Sequence, residues 1–351
     1  PETLVDGTLE IRQGFNGIGY TDQLSLFRGV VQDVEFSGAK VKVSADAIVS
    51  SLYDVYEVPK SGRYANAENE NTALPLLFGD LAENSDSGVI VCPQIDTTTS
   101  VYALACHTIQ TEADGNTITL YDDDGVIPSS DYTITTSGDY ESTGLTIAYV
   151  TFSVAPSGTV SAKMTGGAVD SVGAVITNPV LVIEKMLALM GDNTVLNATS
   201  KSTAANDADT QGYTCAGLII ADNPKSYWLS DIMASFLGSW FLDEDDALVL
   251  QFDTPTVNYL DIKARFRQAD CTQQPLVKQL RDNVVTRPII NYALSAAKID
   301  RRYKSDALSN YFQTYSAEEQ DGDISREYSL NWTRNLTTVQ AIAARIVALY
   351  G

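Results

Sequence analysis

Two acidic clusters contain the residues of this chain that are best suited, by type and spacing, to do chemistry. Asp122, Asp123 and Asp124 precede Gly125, and clustered carboxylates of this kind bind hard cations such as Ca²⁺. The spacing departs from the EF-hand loop, which needs a Glu six residues after the glycine, so a solvated hairpin turn is favoured. A second cluster at residues 243–246 could supply the carboxylate pair of a glycoside hydrolase, but acidic loops between a helix and a strand are common.

Histidine and cysteine, the other common ligands and nucleophiles, are too few or too scattered to form a site. His107 is the only histidine and falls in a predicted strand, which favours a packed or surface side chain. The cysteines lack a CxxC pair, so we expect buried free thiols rather than a zinc site; they are Cys92, Cys106, Cys215 and Cys271. The motifs of common hydrolases and nucleotide-binding proteins are missing. The sequence therefore predicts no catalytic, cofactor-binding or metal-binding residue and no enzymatic activity.

The charge of the chain is strongly negative and unevenly distributed. A formal net charge of -22 disfavours sequence-independent nucleic-acid binding, which needs a basic surface. Residues 80–170 contain 13 acidic residues and one base, Lys163, whereas residues 261–351 contain 13 bases and 10 acids. The acidic part of one copy could therefore face the basic part of another, or the acidic surface could simply keep the protein soluble. We expect no membrane span, because no run approaches about 20 apolar residues.

The elements that would position these residues begin with strands. Residues 8–44 alternate in the manner of antiparallel strands, and a short helix is predicted over residues 46–55. The segment at residues 74–81, LPLLFGDL, is densely apolar. Pro75 and Gly79 argue against a helix interior or a central strand there, so we predict a buried and sharply bent connector between two regions.

The region after the connector has the turn spacing of a small all-β domain. Six short strands are predicted within about 85 residues, separated by turns rich in Asp, Gly, Asn and Pro. They are residues 88–92, 102–111, 117–121, 132–136, 145–154 and 159–164. This number of strands in this length fits a compact sandwich or barrel.

Helix signals follow in the second half of the chain. Asn178-Pro179 and Asn223-Pro224 each predict the start of a helix, since Asn caps the first turn and Pro suits its first position. Apolar residues at i, i+3, i+4 and i+7 predict an amphipathic helix at the C-terminal end. Residues 192–211, which are rich in Ala, Thr, Asn and Asp, are predicted to form an exposed loop.

Together these patterns predict a β-dominated α+β protein of several domains, with antiparallel β modules, an inserted small β-sandwich and several amphipathic helices. Four parts are predicted: residues 1–81 (β meander and short helix), 82–167 (inserted acidic all-β domain), 168–260 (α/β segment) and 261–351 (β strands and final helix). The first, third and fourth parts would form one core that the second interrupts.

The order of these segments resembles that of the tail hub, or tail-tip (baseplate hub), proteins of long-tailed bacteriophages and related phage-derived particles. The segments that carry the resemblance are LFRGVVQDVEFSGAKVKVSADAIVSSL, LPLLFGDL, NPVLVIEKMLALMG, SYWLSDIMASFLGSWFLDEDDALVLQF, RPIINYALSAAKIDRRY and YSLNWTRNLTTVQAIAARIVALYG. The resemblance implies hub-like barrels in a homotrimeric ring with pseudo-sixfold symmetry, which connects the tail tube to distal adhesion components. It also implies a place at the tail tip of the virion. The expected partners are distal tail proteins, tape-measure proteins, and tail fibre or receptor-binding proteins. DNA would pass through the lumen of the ring without being bound specifically.

Two other functions stay open at this point. A receptor- or carbohydrate-binding tail adhesion protein would use residues 82–167 for recognition, and a secreted hydrolase would use the acidic loops. The tryptophans give the adhesion alternative little support, because they are better interpreted as core or interface anchors than as sugar platforms; they are Trp228, Trp240 and Trp332.

Overall fold

The computed structural model of the protein describes residues 8–13, 24–37, 40–47, 51–86, 88–123, 125–243, 246–253, 285, 287–294, 299–304 and 325–350. These residues form several small open sheets and four α-helices, so the protein is a β-dominated α+β protein. None of the described sheets closes into a barrel.

The strands and helices follow one another along the chain in this order. The strands of the first half are β1 (Thr8–Gln13), β2 (Leu24–Ser37), β3 (Lys40–Ala47), β4 (Val55–Tyr56), β5 (Leu76–Phe78), β6 (Ile90–Val91), β7 (Gln94–Asp96), β8 (Val101–Ala105), β9 (Ile118–Asp122), β10 (Gly125–Val126), β11 (Tyr132–Gly138), β12 (Ile147–Phe152) and β13 (Val160–Met164). They are followed by α1 (Pro179–Leu189), α2 (Ala198–Thr210), β14 (Gly217–Ile219), β15 (Asn223–Pro224), α3 (Lys225–Ser235), β16 (Gly238–Leu242), β17 (Leu248–Phe252), β18 (Arg287–Leu294), β19 (Ile299–Lys304), β20 (Ser325–Ser329) and α4 (Leu336–Tyr350).

The predicted antiparallel meander at the start of the chain is confirmed. β1, β2 and β3 pair in sequence order, and a register shift between Val31 and Asp33 marks a bulge in the long middle strand. The helix predicted over residues 46–55 is wrong, because Asp46 and Ala47 still belong to β3 and pair with Val30 and Gly29 of β2. A single 3-10 turn at Ser51–Tyr53 is the only helical structure among the described residues there.

Strands β6 to β13 form two antiparallel four-stranded sheets, with orders β10-β9-β13-β6 and β11-β12-β8-β7. A strand lies at each of the six predicted places, but the one predicted over residues 102–111 ends at Ala105, before His107, and β7 and β10 are additional. The two sheets share one hydrophobic cluster, to which Leu104 and Val150 contribute from one sheet and Leu120 and Ala162 from the other. Burial of this shared face is the main force that holds the region together.

One of these two sheets is covered on both faces. In β8, Tyr102 and Leu104 belong to the cluster between the sheets, whereas Val101 and Ala103 belong to a larger cluster formed with the helices. Successive side chains of a strand point to opposite faces, so both faces must be packed. Every residue of β8 is accordingly buried. The acidic region therefore shares the main hydrophobic core of the protein through this sheet.

The LPLLFGDL segment joins the two hydrophobic clusters, and the predicted buried connector is confirmed. Its centre is β5, which pairs antiparallel with β14. Leu76 and Phe78 enter the larger cluster, while Leu77 points the other way into the smaller one. Gly79 then turns the chain with a φ of +69°, and a Cβ at this position would lie 2.1 Å from the carbonyl oxygen of Cys215. Glycine is required there both by the backbone angle and by the close approach.

Helices α1 and α3 lie where the two Asn-Pro signals predict them. The Asn178 side chain accepts a hydrogen bond from the N–H of Val180, and Gly191 follows the last turn of α1 with a φ of +66°. The predicted cap of α3 is wrong, because Asn223 and Pro224 form β15 and pair with β4, so Pro224 is the N-cap residue and the helix begins at Lys225 without a side-chain cap. The buried faces of both helices belong to the larger cluster. The bounds of α1 could be predicted because its start and stop signals are local.

The loop predicted over residues 192–211 is wrong, because most of it forms α2. Asn197 caps the helix by accepting a hydrogen bond from the N–H of Ser200. Only Ala204 and Ala208, one turn apart, are buried along the helix. The buried face of this helix therefore consists of only two alanine methyl groups. The helix still forms, because alanine has a strong intrinsic preference for helix. A search for large apolar residues at helical spacing misses such a helix.

The C-terminal part combines a mixed sheet with the predicted amphipathic helix. β18 pairs antiparallel with β19 and parallel with β20. Helix α4 is confirmed, and its buried residues recur at helical spacing: Val339, Ile342, Ala343, Ile346 and Val347. Within the described residues, no helix combines the length and apolar character needed to cross a membrane.

Candidate functional site

The first acidic cluster holds two loops together. Asp122 accepts hydrogen bonds from the N–H groups of Ser157 (2.9 Å) and Gly158 (2.6 Å), and Asp123 accepts one from the N–H of Thr159 (2.9 Å). The hydrogen bond from Ser157 contributes most to lowering the pKa of Asp122, because it favours the charged carboxylate. In the part of the chain that the structure describes, which excludes Asp124, no three His, Cys, Asp or Glu side chains are grouped to hold a metal ion.

The second acidic cluster is also built into a turn. Asp243 accepts hydrogen bonds from the N–H of Ala247 and from the side-chain amide of Asn197, both at 2.9 Å. It therefore joins the β16–β17 hairpin to the start of α2. The two central residues of the cluster, Glu244 and Asp245, lie outside the described residues. Both carboxylate oxygens of Asp243 thus serve as hydrogen-bond acceptors within this turn.

His107 holds the connector strand in place. It is buried, and its Nε2 accepts a hydrogen bond from the N–H of Leu77 at 2.9 Å. Nε2 must therefore be unprotonated, so Nδ1 carries the proton and donates it to the carbonyl oxygen of Thr108 at 2.8 Å. Burial lowers the pKa of His107 to about 4, because the charged form loses its hydration. The neutral ring stacks against Phe78, and sequence reasoning gave no sign of this role.

Three cysteines are confirmed as buried free thiols, and Cys271 lies outside the described residues. Burial raises the pKa of Cys92 and of Cys106 to about 12, and it raises the pKa of Cys215 well above the ordinary value. Since the thiolate is the reactive form, these three side chains behave as small apolar groups.

Two tryptophans are confirmed as core anchors. Trp332 is buried, and its ring N–H donates to Asp231 at 2.8 Å, which ties the segment before α4 to α3. Trp228 is also buried, within α3. Trp240 is half-buried and lies 6.3 Å, between ring centroids, from the exposed Tyr53. Buried rings cannot serve as stacking platforms for sugars.

A buried ion pair and a buried arginine fix the loops around the larger cluster. The Lys225 ammonium lies 2.7 Å from the Asp192 carboxylate, whose side chain is fully buried. Burial alone would raise the pKa of Asp192, but hydrogen bonds from Lys225 and Thr194 outweigh it and the pKa is lowered. Arg334 is also buried and donates from Nε to the backbone oxygen of Glu83 at 2.9 Å. These partners lie far apart in sequence, so no local pattern predicts them.

The β1–β3 sheet is exposed at one end. Its extensive contacts, among the described elements, are between its own strands. Val41 and Val43 are 59% and 41% exposed, and Lys42 between them is exposed as well. Because neighbouring residues of a strand point to opposite faces, both faces are uncovered at this end. An apolar sheet face in this state is a candidate surface for assembly.

Comparison with known proteins adds no assignment. No protein-family model matches the chain, and no curated protein matches it. The acidic clusters, the histidine and the buried tryptophans are each engaged in internal contacts. The exposed β1–β3 sheet is therefore the surface on which a functional proposal can be based.

Proposed function

We propose that this protein is a structural subunit of the tail tip of a long-tailed bacteriophage or a related phage-derived particle. In this proposal it forms a homotrimeric ring, the hub, between the tail tube and the distal adhesion components. The order of segments along the chain supports it, as described above. The observation that carries the assembly part is the open end of the β1–β3 sheet, with Val41 and Val43 exposed on a strand whose extensive contacts, among the described elements, are with β2.

The physical argument is that such a sheet gains stability from a partner. Three strands need one packed face to be stable, and unpaired edge strands tend to recruit other strands. Within the described residues β1 and β3 are the two edges of this sheet, so each can pair with a strand of another copy. Repetition of such a heterologous contact closes a ring when the rotation allows it. The hub-like barrels belong to the same proposal, since strands from neighbouring copies could complete the open sheets.

The uneven charge is compatible with this assembly. The acidic residues 80–170 of one copy could face the basic residues 261–351 of the next, which would orient the subunits. The net charge of -22 also suits a lumen through which DNA slides, because an acidic wall does not bind phosphates. Expected neighbours are tape-measure, distal tail and tail fibre or receptor-binding proteins.

Size-exclusion chromatography with light scattering tests the ring. A trimer of the 37.9 kDa chain has a mass of about 114 kDa. The double substitution Val41→Asp/Val43→Asp should convert the trimer to monomer. The matched control Val172→Asp/Val195→Asp changes two other exposed valines, both outside the acidic residues 80–170, by the same charge and should leave the trimer intact. A wild-type protein that is monomeric at every concentration would contradict the proposal, and imaging of the particle would show whether three copies lie on the tail axis.

The second candidate is a receptor- or carbohydrate-binding tail adhesion protein that uses residues 82–167. A polar groove of about 930 Å³ at the edge of this region favours it. Binding of a glycan that is lost on substitution in the groove, with the oligomeric state unchanged, would support this candidate.

A further inference from the structure

The groove has a chemical character that restricts its ligand. One wall is the loop at residues 68–72, the other is the loop at residues 156–160, and Tyr102 lies among the lining residues. The described lining side chains include the carboxylates of Glu68, Glu70 and Asp123 together with amides and hydroxyls, and none of these described residues is Lys, Arg or His. A ligand that brings positive charge and hydrogen-bond donors therefore complements the groove.

Tyr102 supplies an independent sign of a ligand. Its side chain is 8% exposed and its ring packs edge-on against Phe152, with centroids 5.4 Å apart. Its hydroxyl has no hydrogen-bond partner among the described residues and is not one of the fully buried polar atoms, so it stays open at the groove. Because Tyr102 lines the groove, the small exposed part of its side chain lies at the groove. The hydroxyl can donate to or accept from a bound molecule without losing an internal partner.

The arrangement favours a cationic peptide over a sugar. Sugar sites commonly stack a ring of the ligand on an aromatic face, but the Tyr102 ring is buried in the smaller hydrophobic cluster. Two side chains at the groove, Glu68 and Glu70, are exposed carboxylates, so an ammonium or guanidinium group would find acceptors. The volume of about 930 Å³ is at the upper end for small-molecule sites and suits a short extended segment.

We propose that this groove binds a lysine- or arginine-bearing peptide segment of a partner protein, with Glu68 and Glu70 contacting the positive charges and the Tyr102 hydroxyl completing the hydrogen bonds. The site is separate from the β1–β3 sheet and does not depend on formation of the ring. A monomeric protein could therefore still bind the peptide, and a trimer could fail to bind it.

Fluorescence anisotropy with a labelled pentalysine peptide tests the proposal. Glu68→Gln/Glu70→Gln should weaken binding about 5- to 10-fold, since two exposed charge contacts are lost. Tyr102→Phe removes only the hydroxyl, should leave urea unfolding unchanged and should weaken binding about 2- to 5-fold. The control Glu57→Gln/Glu112→Gln removes the same charge from exposed residues outside the groove and should change binding less than about twofold.

Three results would overturn the proposal. One is an equal loss of affinity in the control variant, which would mean that pentalysine responds only to the net charge. Another is the failure of pentalysine to bind at about 50 mM salt, where exposed charges are weakly screened. The third is binding of a neutral oligosaccharide, such as maltohexaose, in place of the peptide and with loss on Tyr102→Phe, which would assign the groove to carbohydrate.

Discussion

Acidification should destabilise this protein through its single histidine. His107 accepts a hydrogen bond from the N–H of Leu77 only in its neutral form, and a proton on Nε2 would place two donors against each other inside the core. The folded pKa is about 4, whereas an exposed histidine in the unfolded chain has a pKa of about 6.5. Between these values the unfolded chain binds the proton and the folded one does not, so stability falls as the pH falls.

The size of the effect follows from the two pKa values. The stabilisation by neutral His107 is fully present above about pH 6.5 and is lost progressively down to about pH 4, a total of about 3 kcal/mol. About 2 kcal/mol of this is lost between pH 7.5 and pH 5, with a slope of about 1.2 kcal/mol per pH unit near pH 5.5. Most carboxylates titrate below this window, so the histidine dominates it.

The assay is urea unfolding followed by tryptophan fluorescence at several pH values between 7.5 and 5. His107→Gln keeps a hydrogen-bond acceptor but cannot gain a charge, so its free energy of unfolding should change about 2 kcal/mol less than that of the wild type over this range. Subtraction of the two curves removes the contribution of all other groups. In parallel, the proton NMR signal of the single imidazole should not titrate above about pH 5 in the folded protein. A folded-state midpoint near 6.5, or parallel curves for the two proteins, would refute the reasoning.

Three further changes test the packing around the connector and the buried ion pair, each by urea unfolding. Gly79→Ala should lower the free energy of unfolding by about 3 kcal/mol, because the residue has a positive φ and its Cβ would clash with backbone. Gly191 has a similar φ in open space, so Gly191→Ala should lower it by only about 1 kcal/mol. Equal losses for the two variants would contradict the clash. Lys225→Met should lower the free energy of unfolding by about 3–5 kcal/mol, because it leaves the buried Asp192 carboxylate without its cation. The double variant Lys225→Met/Asp192→Leu should recover most of that stability. A loss below about 1 kcal/mol in the single variant would mean that the ion pair is solvated. Leu77→Ala should cost about 2–5 kcal/mol in a single transition, and two separate transitions would show that the clusters unfold independently.

Elements with local signals could be predicted from the sequence, and elements that depend on distant partners could not. The Asn-Pro pair at Asn178 predicts the start of α1 because the cap is two residues from its partner. Helix α2 was not predicted, because its buried face consists of only two alanines and gives no pattern of large apolar residues. The helix predicted after residue 46 failed because pairing with β2 outweighs local helix preference.

The internal contacts of the candidate site residues were beyond the reach of sequence reasoning. The roles of His107 and Lys225 depend on partners 30 and 33 residues away. The groove joins loops from two separate regions, and its unpaired tyrosine hydroxyl leaves no mark in the sequence. What the sequence did indicate was the connector, since a Pro and a Gly in a densely apolar run have few structural explanations.

During translation, β5 is synthesised long before its partner strand β14, so its apolar side chains stay exposed on the newly made chain. β5 leaves the ribosome about 140 residues before β14, which corresponds to roughly 7–28 s of synthesis at about 5–20 residues per second. During that interval Leu76 and Phe78 lack the strand and the helices that later cover them. An apolar run that is uncovered for this long is prone to non-native association, and it becomes buried only after the second half of the chain has emerged.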